Sequence, residues 1–205
     1  MIQKTARDKQ AEEMKNRILA SALQLFDKYG MDNVSVADIA AAAKCSSGNI
    51  YHYFKSKAHI AAYLNQPRDD EYLQFQEMLN SSDEYVGLSS LEKLIEFFAF
   101  MCTAASKDTD NLCNLYAYAL KSKDNSILAL NDSRQLQKIF SELVDDIIAD
   151  GFIVNDIDKN ILIQDFIIIC RGLLMEMQIG RSDFVMAERA REMIKIYMKG
   201  VMSKK

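Results

Sequence analysis

The sequence predicts an all-α protein, and three observations carry that expectation. Its 205 residues hold one proline and seven glycines, well below the ~5 % and ~7 % of average usage, which leaves few turns for a β architecture. Apolar residues recur at steps of three and four along most of the chain, the period of a helix buried on one side. No stretch alternates apolar and polar residues as a half-buried strand does. With 49 % hydrophobic and 26 % charged residues the chain is not of the disordered class. Its length suffices for one sizeable core, or for a large domain with a smaller one beside it.

The elements follow in order. Ile18, Leu19, Ala22, Leu25, Phe26 and Tyr29 lie on one helical stripe, and Gly30 stands at the C-terminal cap position. Ser35, with Asp38 three residues on, reads as a capping box; it opens a short helix over about 36–43 that turns Val36, Ile39 and Ala40 inward. Cys45-Ser46-Ser47-Gly48 interrupts the period, and either serine can cap a third helix reaching about Tyr53. Ser56 can cap a fourth. Short helices joined by a tight turn between the second and third make a helix-turn-helix pattern.

Pro67 breaks or kinks a helix over about 57–80. Strongly apolar helices are expected over about 90–106 and 110–122, and another from about 126 or 133 to Asp150, closed by Gly151. Residues 158–179 are apolar on almost every side, which predicts a helix buried between two layers. The last helix, about 182–202, sets Ala187, Ala190, Ile194, Tyr197 and Val201 at 3-4-3-4 spacing, a packing seam.

Net charge is −4 with a pI near 5.3, which as a global figure argues against a nucleic-acid partner. Its distribution reverses that argument: residues 1–60 carry +3 and residues 61–205 carry −7. A small basic head on a larger acidic body is a functional asymmetry. The four cysteines, Cys45, Cys102, Cys113 and Cys170, form no Cys-x-x-Cys pair and read as reduced, mostly buried thiols of a cytoplasmic protein. No apolar stretch approaches the ~20 residues that span a bilayer, and the N-terminus lacks the apolar segment of a signal peptide; no membrane association is expected.

Catalysis and metal binding find little support. His52 and His59 are the only histidines and both lie in the helix-turn-helix region. No His/Cys/carboxylate group has zinc spacing, no glycine-rich phosphate loop is present, and Asp145-Asp146 and Asp156-x-Asp158 read as solvated surface. The expectation is no catalytic residue, no metal and no cofactor.

One stretch carries a specific resemblance. Ile18-Leu19-x-x-Ala22-x-x-Leu25-Phe26-x-x-x-Gly30, Val34-Ser35-Val36-x-x-Ile39-Ala40 and Ser47-Gly48-x-Ile50-Tyr51-x-Tyr53-Phe54-x-x-Lys57 together resemble the DNA-binding domain of the tetracycline-repressor (TetR) family. About forty residues match in order and spacing. Cys45 departs from the usual aliphatic residue and Ala58-His59-Ile60 from an acidic-x-Leu. The resemblance implies a DNA-binding domain over 1–57 and an effector-binding and dimerisation domain over 58–205, in a homodimer on palindromic operator DNA that acts as an effector-responsive regulator, most often a repressor.

Candidate contacts follow from both lines of reasoning. Ile50 and Phe54 face the core of the domain, while Ser47, Gly48 and Asn49 occupy the half of the recognition helix that meets base edges. Asn49 suits an adenine edge, and His52 a guanine or a phosphate. Tyr51 is expected on a phosphate, as its family counterpart is, and Lys57 on another at the start of the fourth helix. Ser35 and Ala37 flank this surface, with Ala37 limited to a thymine methyl. Tyr53 reads either as packing or as a DNA-facing residue. Lys44, Lys55 and Arg17 are further phosphate candidates. In the body, Phe97, Phe100, Met101, Tyr116, Tyr118 and Met175 either line an effector pocket or pack as core, and their chemistry points to an apolar or aromatic small molecule. The resemblance places the dimer interface on the last two helices, with Phe166, Arg171, Gly172, Ala190, Ile194 and Tyr197 as candidates. A helical small-molecule-binding protein, or a protein-interaction adaptor without operator binding, is the alternative.

Overall fold

The computed structural model describes residues 6–64, 67–107, 109–122, 134–153, 157–180 and 183–202. Among them the regular structure is helical: α1 (Ala6–Tyr29), a 3-10 turn (Met31–Asn33), α2 (Val36–Ala42), α3 (Ser47–Tyr53), α4 (Lys57–Leu64), α5 (Pro67–Ser81), α6 (Ser90–Ser106), α7 (Thr109–Ser122), α8 (Arg134–Ala149), α9 (Lys159–Ile179) and α10 (Met186–Val201). One isolated bridge pairs Ile153 with Met202. Pro67 opens α5, where the missing N–H costs nothing. The earlier of the two starts expected for α8, residue 126, lies outside the described residues.

The chain divides into two compact units, and one of them is discontinuous: residues 1–66 with 110–131, and residues 67–109 with 132–205. In the first unit α1 packs on α2 and α4, and α2 on α3. Its core gathers Ile18, Ala22, Phe26, Met31, Val34, Ile39, Ala40, Ala43, Ile50, Phe54, Ile60 and, from α7, Leu115. Of the stripe predicted on α1, Ile18, Ala22 and Phe26 are buried and Leu19 and Leu25 are half-buried against that core; Tyr29 is exposed, since the helix ends there and Gly30, at φ +76°, turns the chain away. Lys57 and all of α4 belong to this unit, as does α7.

In the second unit α6 is the central helix, packed by α5, α8, α9 and α10. It starts at a capping box in which Ser89 Oγ accepts from the Glu92 N–H and Glu92 accepts from the Ser89 N–H at 2.8 Å. Phe97, Phe98, Phe140 and Phe166 are fully buried, with Phe97 edge-on to Phe140 at 5.2 Å. Arg191 of α10 grips Glu96 of α6 through both carboxylate oxygens at 2.7–3.0 Å. The burial expected for 158–179 on all sides is not found within the chain: α9 buries Leu162, Ile163, Phe166, Cys170, Leu173 and Leu174 but exposes Ile161, Ile168 and Ile179. Within the chain α9 packs on α6, α8 and α10, which give it one covering layer, not two.

Candidate DNA-binding surface

Local chemistry fixes the α2–α3 corner. Ser35 accepts from the Asp38 N–H at 3.1 Å while Asp38 Oδ2 accepts from the Ser35 N–H at 2.8 Å and from its hydroxyl at 2.6 Å, so the capping box is closed in both directions. These bonds hold the Asp38 carboxyl below its ordinary range. Of the two candidate serines, Ser46 is the cap of α3, accepting from the Asn49 N–H at 3.1 Å. Between the helices Lys44 sits at φ +52°, a left-handed position that usually favours glycine. Burial of Ile39, Ala43 and Ile50 around the turn offsets that strain.

The recognition helix α3 is anchored from behind and bare in front. Ile50 is 1 % and Phe54 0 % exposed, and Phe54 meets His59 and Tyr63 edge-on at 5.9 and 5.4 Å. Gly48, Asn49, Tyr51 and His52 are exposed, Tyr51 by 57 %, and Ser35 and Ala37 at the start of α2 are exposed as well. Ser47 is half-buried. Tyr53 is half-buried too, with His52 edge-on to its ring at 4.9 Å and Phe54 at 6.5 Å, so packing accounts for much of its surface. A Cβ at Gly48 would meet only Ser46 Oγ, at 3.6 Å; nothing inside the chain requires a glycine there, whereas a ligand approaching the backbone would.

The fourth helix differs from expectation. Ser56 caps it, accepting from the His59 N–H at 3.1 Å, and His59 Nδ1 accepts from the Lys55 N–H at 3.0 Å. Burial, then the cations Lys55 and Lys15, pull the His59 pKa down, which keeps the ring neutral and able to accept. Lys57, expected to reach outward for a phosphate, turns inward. Its half-buried ammonium donates to Met31 O at 2.6 Å and Val34 O at 2.8 Å, and it lies 4.9 Å from the Tyr118 ring centroid. Burial lowers the Lys57 pKa and Asp32 opposes that shift. Lys121 of α7 pairs with the same Asp32. The sequence gives no sign of these partners, because α7 lies far from Lys57 along the chain and shares no pattern with it.

The profile of bacterial regulatory proteins of the tetR family matches residues 18–64, the segment whose geometry has just been described. Over this segment the chain resembles the tetR family of regulators. An HTH-type transcriptional regulator of Staphylococcus aureus (strain bovine RF122 / ET3-1) is 33 % identical over 92 residues, covering 43 % of this chain and 50 % of the relative; the chain thus spans about half the length of the curated relatives it matches. Thermus thermophilus FadR, a tetR-family transcriptional repressor in complex with lauroyl-CoA, superposes with a TM-score of 0.74 at 16 % identity, covering 93 % of this chain and 96 % of that one. Bacillus subtilis FadR in complex with stearoyl-CoA gives 0.64 at 18 % identity over 90 % and 98 %. These likenesses establish the tetR fold: an N-terminal helix-turn-helix domain and a C-terminal helical domain.

The effector and dimer candidates scatter. Phe97 and Met101 are buried in the core of the second unit, and Phe100 stacks on Phe75 at 4.1 Å, so their faces are largely used in packing. Met175, half-buried on α9, belongs to the same unit, whereas Tyr116 and Tyr118 belong to the first. An open groove of about 540 Å³ runs between α8 and α9, lined by Gln137, Lys138, Ser141, Glu142, Asn160, Gln164, Ile163 and Ile167; this mostly polar lining is unlike the apolar one expected. Phe166, Ala190 and Ile194 are 0 % exposed and face the interior of their own unit, so they are corrected from interface to core. Arg171 and Tyr197 are half-buried, the latter donating to Asp165 at 2.6 Å. Gly172 is exposed, and a Cβ there would meet nothing within 4 Å. Among the described residues no helix is long and apolar enough to cross a membrane.

Proposed function

We propose that the chain is an effector-responsive, DNA-binding transcriptional regulator that acts as a repressor, as a homodimer on a palindromic operator in the cytoplasm. One observation carries the reading. The recognition helix is locked to the domain by Ile50 and Phe54 and presents Gly48, Asn49, Tyr51 and His52 to solvent on one continuous surface. Asn49 and His52 read base edges, Tyr51 and the neighbouring cations Lys44 and Lys55 meet phosphates, and bare Gly48 admits the sugar-phosphate backbone. No catalytic step is assigned to the chain.

The exposed apolar side chains of α9 support the dimer. Ile161, Ile168 and Ile179 lie two and five helical turns apart on one side, and Gly172, three turns from Ile161, leaves room for a second helix to approach. Val185 and Ile196 extend exposed apolar surface to α10. For the effector, the fatty-acyl thioesters held by two similar structures support an apolar or aromatic molecule. Such a ligand releases the operator only by binding the two states with different affinity.

The test is duplex binding by the full chain as salt rises. A specific regulator loses affinity steeply with salt and discriminates between sequences. Asn49→Ala and His52→Ala relax sequence preference while leaving the salt slope nearly intact. A chain that shows neither salt dependence nor discrimination on duplexes selected from a random library is instead a helical small-molecule-binding or adaptor protein.

A further inference from the structure

The connection between α1 and α2, residues 30–35, is held from outside by groups distant in sequence. Within it the backbone bonds are long: Val34 N–H reaches Met31 O at 3.4 Å and Asn33 N–H reaches Gly30 O at 3.2 Å. Such weak closure leaves carbonyl capacity unused. The Lys57 ammonium takes up that capacity, donating to Met31 O and Val34 O at 2.6 and 2.8 Å. Two of its three protons are thereby committed. The Tyr118 ring lies 4.9 Å from the same nitrogen, within cation–π range. One turn further along α7, Lys121 pairs with Asp32, in the middle of the same connection. Helix α7 is part of this unit through Leu115, which is 1 % exposed in its core.

We propose that Lys57 is a positioning residue and not a phosphate ligand: it clamps the start of α4 to the α1–α2 connection and, through the Tyr118 ring, makes the aim of the recognition helix depend on the seating of α7. The chain of contacts is short. The connection ends at Ser35, the cap of α2; α2 packs on α3; and α4 begins three residues after Phe54, the cap that closes α3. A shift of the connection relative to α4 therefore moves the two ends of the α2–α3 pair differently. A half-buried ammonium engaged with two carbonyls would lose both bonds in order to reach a phosphate, so the charge acts on DNA through where it holds the helices.

The inference rests on the DNA-binding reading, and the experiment separates the two. Lys57→Met and Tyr118→Leu are made singly and together in the full chain. Binding is measured on the duplex that the wild-type chain selects from a random library and on a random-sequence duplex, each across a salt series. With Lys57 as clamp, Lys57→Met weakens the selected duplex by about tenfold or more, as expected for losing hydrogen bonds to a charged group, and leaves the salt slope unchanged. Tyr118→Leu, which removes no charge, reproduces part of that loss, and the double variant is no worse than Lys57→Met. Hydrogen exchange of the free protein rises at residues 30–36 in both variants.

With Lys57 as phosphate ligand, Lys57→Met flattens the salt slope by about 0.9 per head, Tyr118→Leu is neutral, and exchange at 30–36 is unchanged; that pattern overturns the proposal. If the wild-type chain selects no duplex, the DNA-binding reading fails. Exchange at 30–36 then decides the clamp alone: faster exchange in Lys57→Met and Tyr118→Leu supports it, and unchanged exchange overturns it.

Discussion

Truncating Leu115 to alanine should destabilise the helix-turn-helix unit, although Leu115 lies on α7, far along the chain from that motif. Its side chain is 1 % exposed and belongs to the same buried cluster as Ile18, Phe26, Ile39, Ile50 and Phe54. Leu→Ala at such sites costs about 2.7–5 kcal/mol, the spread reflecting how far the cavity collapses. The neighbours here are closely packed: Ile18, Ile39 and Phe54 are each 0 % exposed, so little collapse is expected and the cost is at least about 3 kcal/mol. For a unit of this size that corresponds to a fall in melting midpoint of about 12–24 °C. Amides that exchange only through unfolding of the unit should exchange about 100-fold faster. Hydrogen exchange with peptide resolution is the assay, because it reports residues 18–64 and residues 90–106 separately in one sample. Acceleration across 18–64 with α6 unchanged is the expected outcome. Protection of 18–64 at the wild-type level would refute the discontinuous unit and return α7 to the body.

Three further outcomes are expected. Ser35→Ala removes the cap of α2 and lets the Asp38 carboxyl rise toward its ordinary pKa. A lowered carboxyl contributes stability above the ordinary carboxylate range and loses it as pH falls through the folded value, so the midpoint gap between variant and wild type should narrow in acid; a gap independent of pH would contradict it. Burial and the neighbouring Cys170 thiol raise the Cys102 pKa well above its usual value, and a thiol reagent acting on native protein should therefore modify half-buried Cys45 long before Cys102; equal rates, read by peptide mass, would show that α6 is not buried. Ile168→Asp and Ile196→Asp change exposed positions and should halve the sedimenting mass with little loss of melting temperature, whereas an unchanged dimer would place the interface elsewhere.

The head was legible because its signals are local. Ser35 and Asp38 are three residues apart, Ile50 and Phe54 four, and each pair declares its geometry within one turn. What sequence could not supply was the partner brought in from far along the chain, beyond α5 and α6. Leu115 and Tyr118 read as members of an apolar helix, and nothing in a helical period says against which unit that helix packs. Lys57 shows the same limit at one residue: the spacing fixes it at the start of α4, while the two carbonyls that capture it are a consequence of where the 3-10 turn comes to rest. In α10 the 3-4-3-4 seam correctly identified a packed face, yet Ala190 and Ile194 pack within the chain. Periodicity marks a stripe as buried and is silent on whether the same chain or another buries it. The exposed isoleucines of α9 emerge only after the intrachain partners are accounted for.

The redrawn unit bears directly on the charge asymmetry. Residues 110–131 carry two acidic and two basic side chains, Asp110, Asp124, Lys121 and Lys123, so adding them to the head leaves its +3 unchanged and leaves −7 on the rest. The asymmetry is therefore a property of the physical units and not of an arbitrary cut at residue 60. A polyanion meets an attractive unit and a repulsive one on the same chain, and at ionic strengths where the Debye length is ~10 Å or more the repulsion opposes every encounter led by the body. Such a protein gains orientation on approach at the expense of non-specific hold. The inward turn of Lys57 sharpens the trade, since one of the eleven cations of the redrawn unit is spent on geometry. Affinity then depends more on how well α3 is aimed than on how much positive charge the head displays, which is the condition under which a small movement in α7 could change operator occupancy.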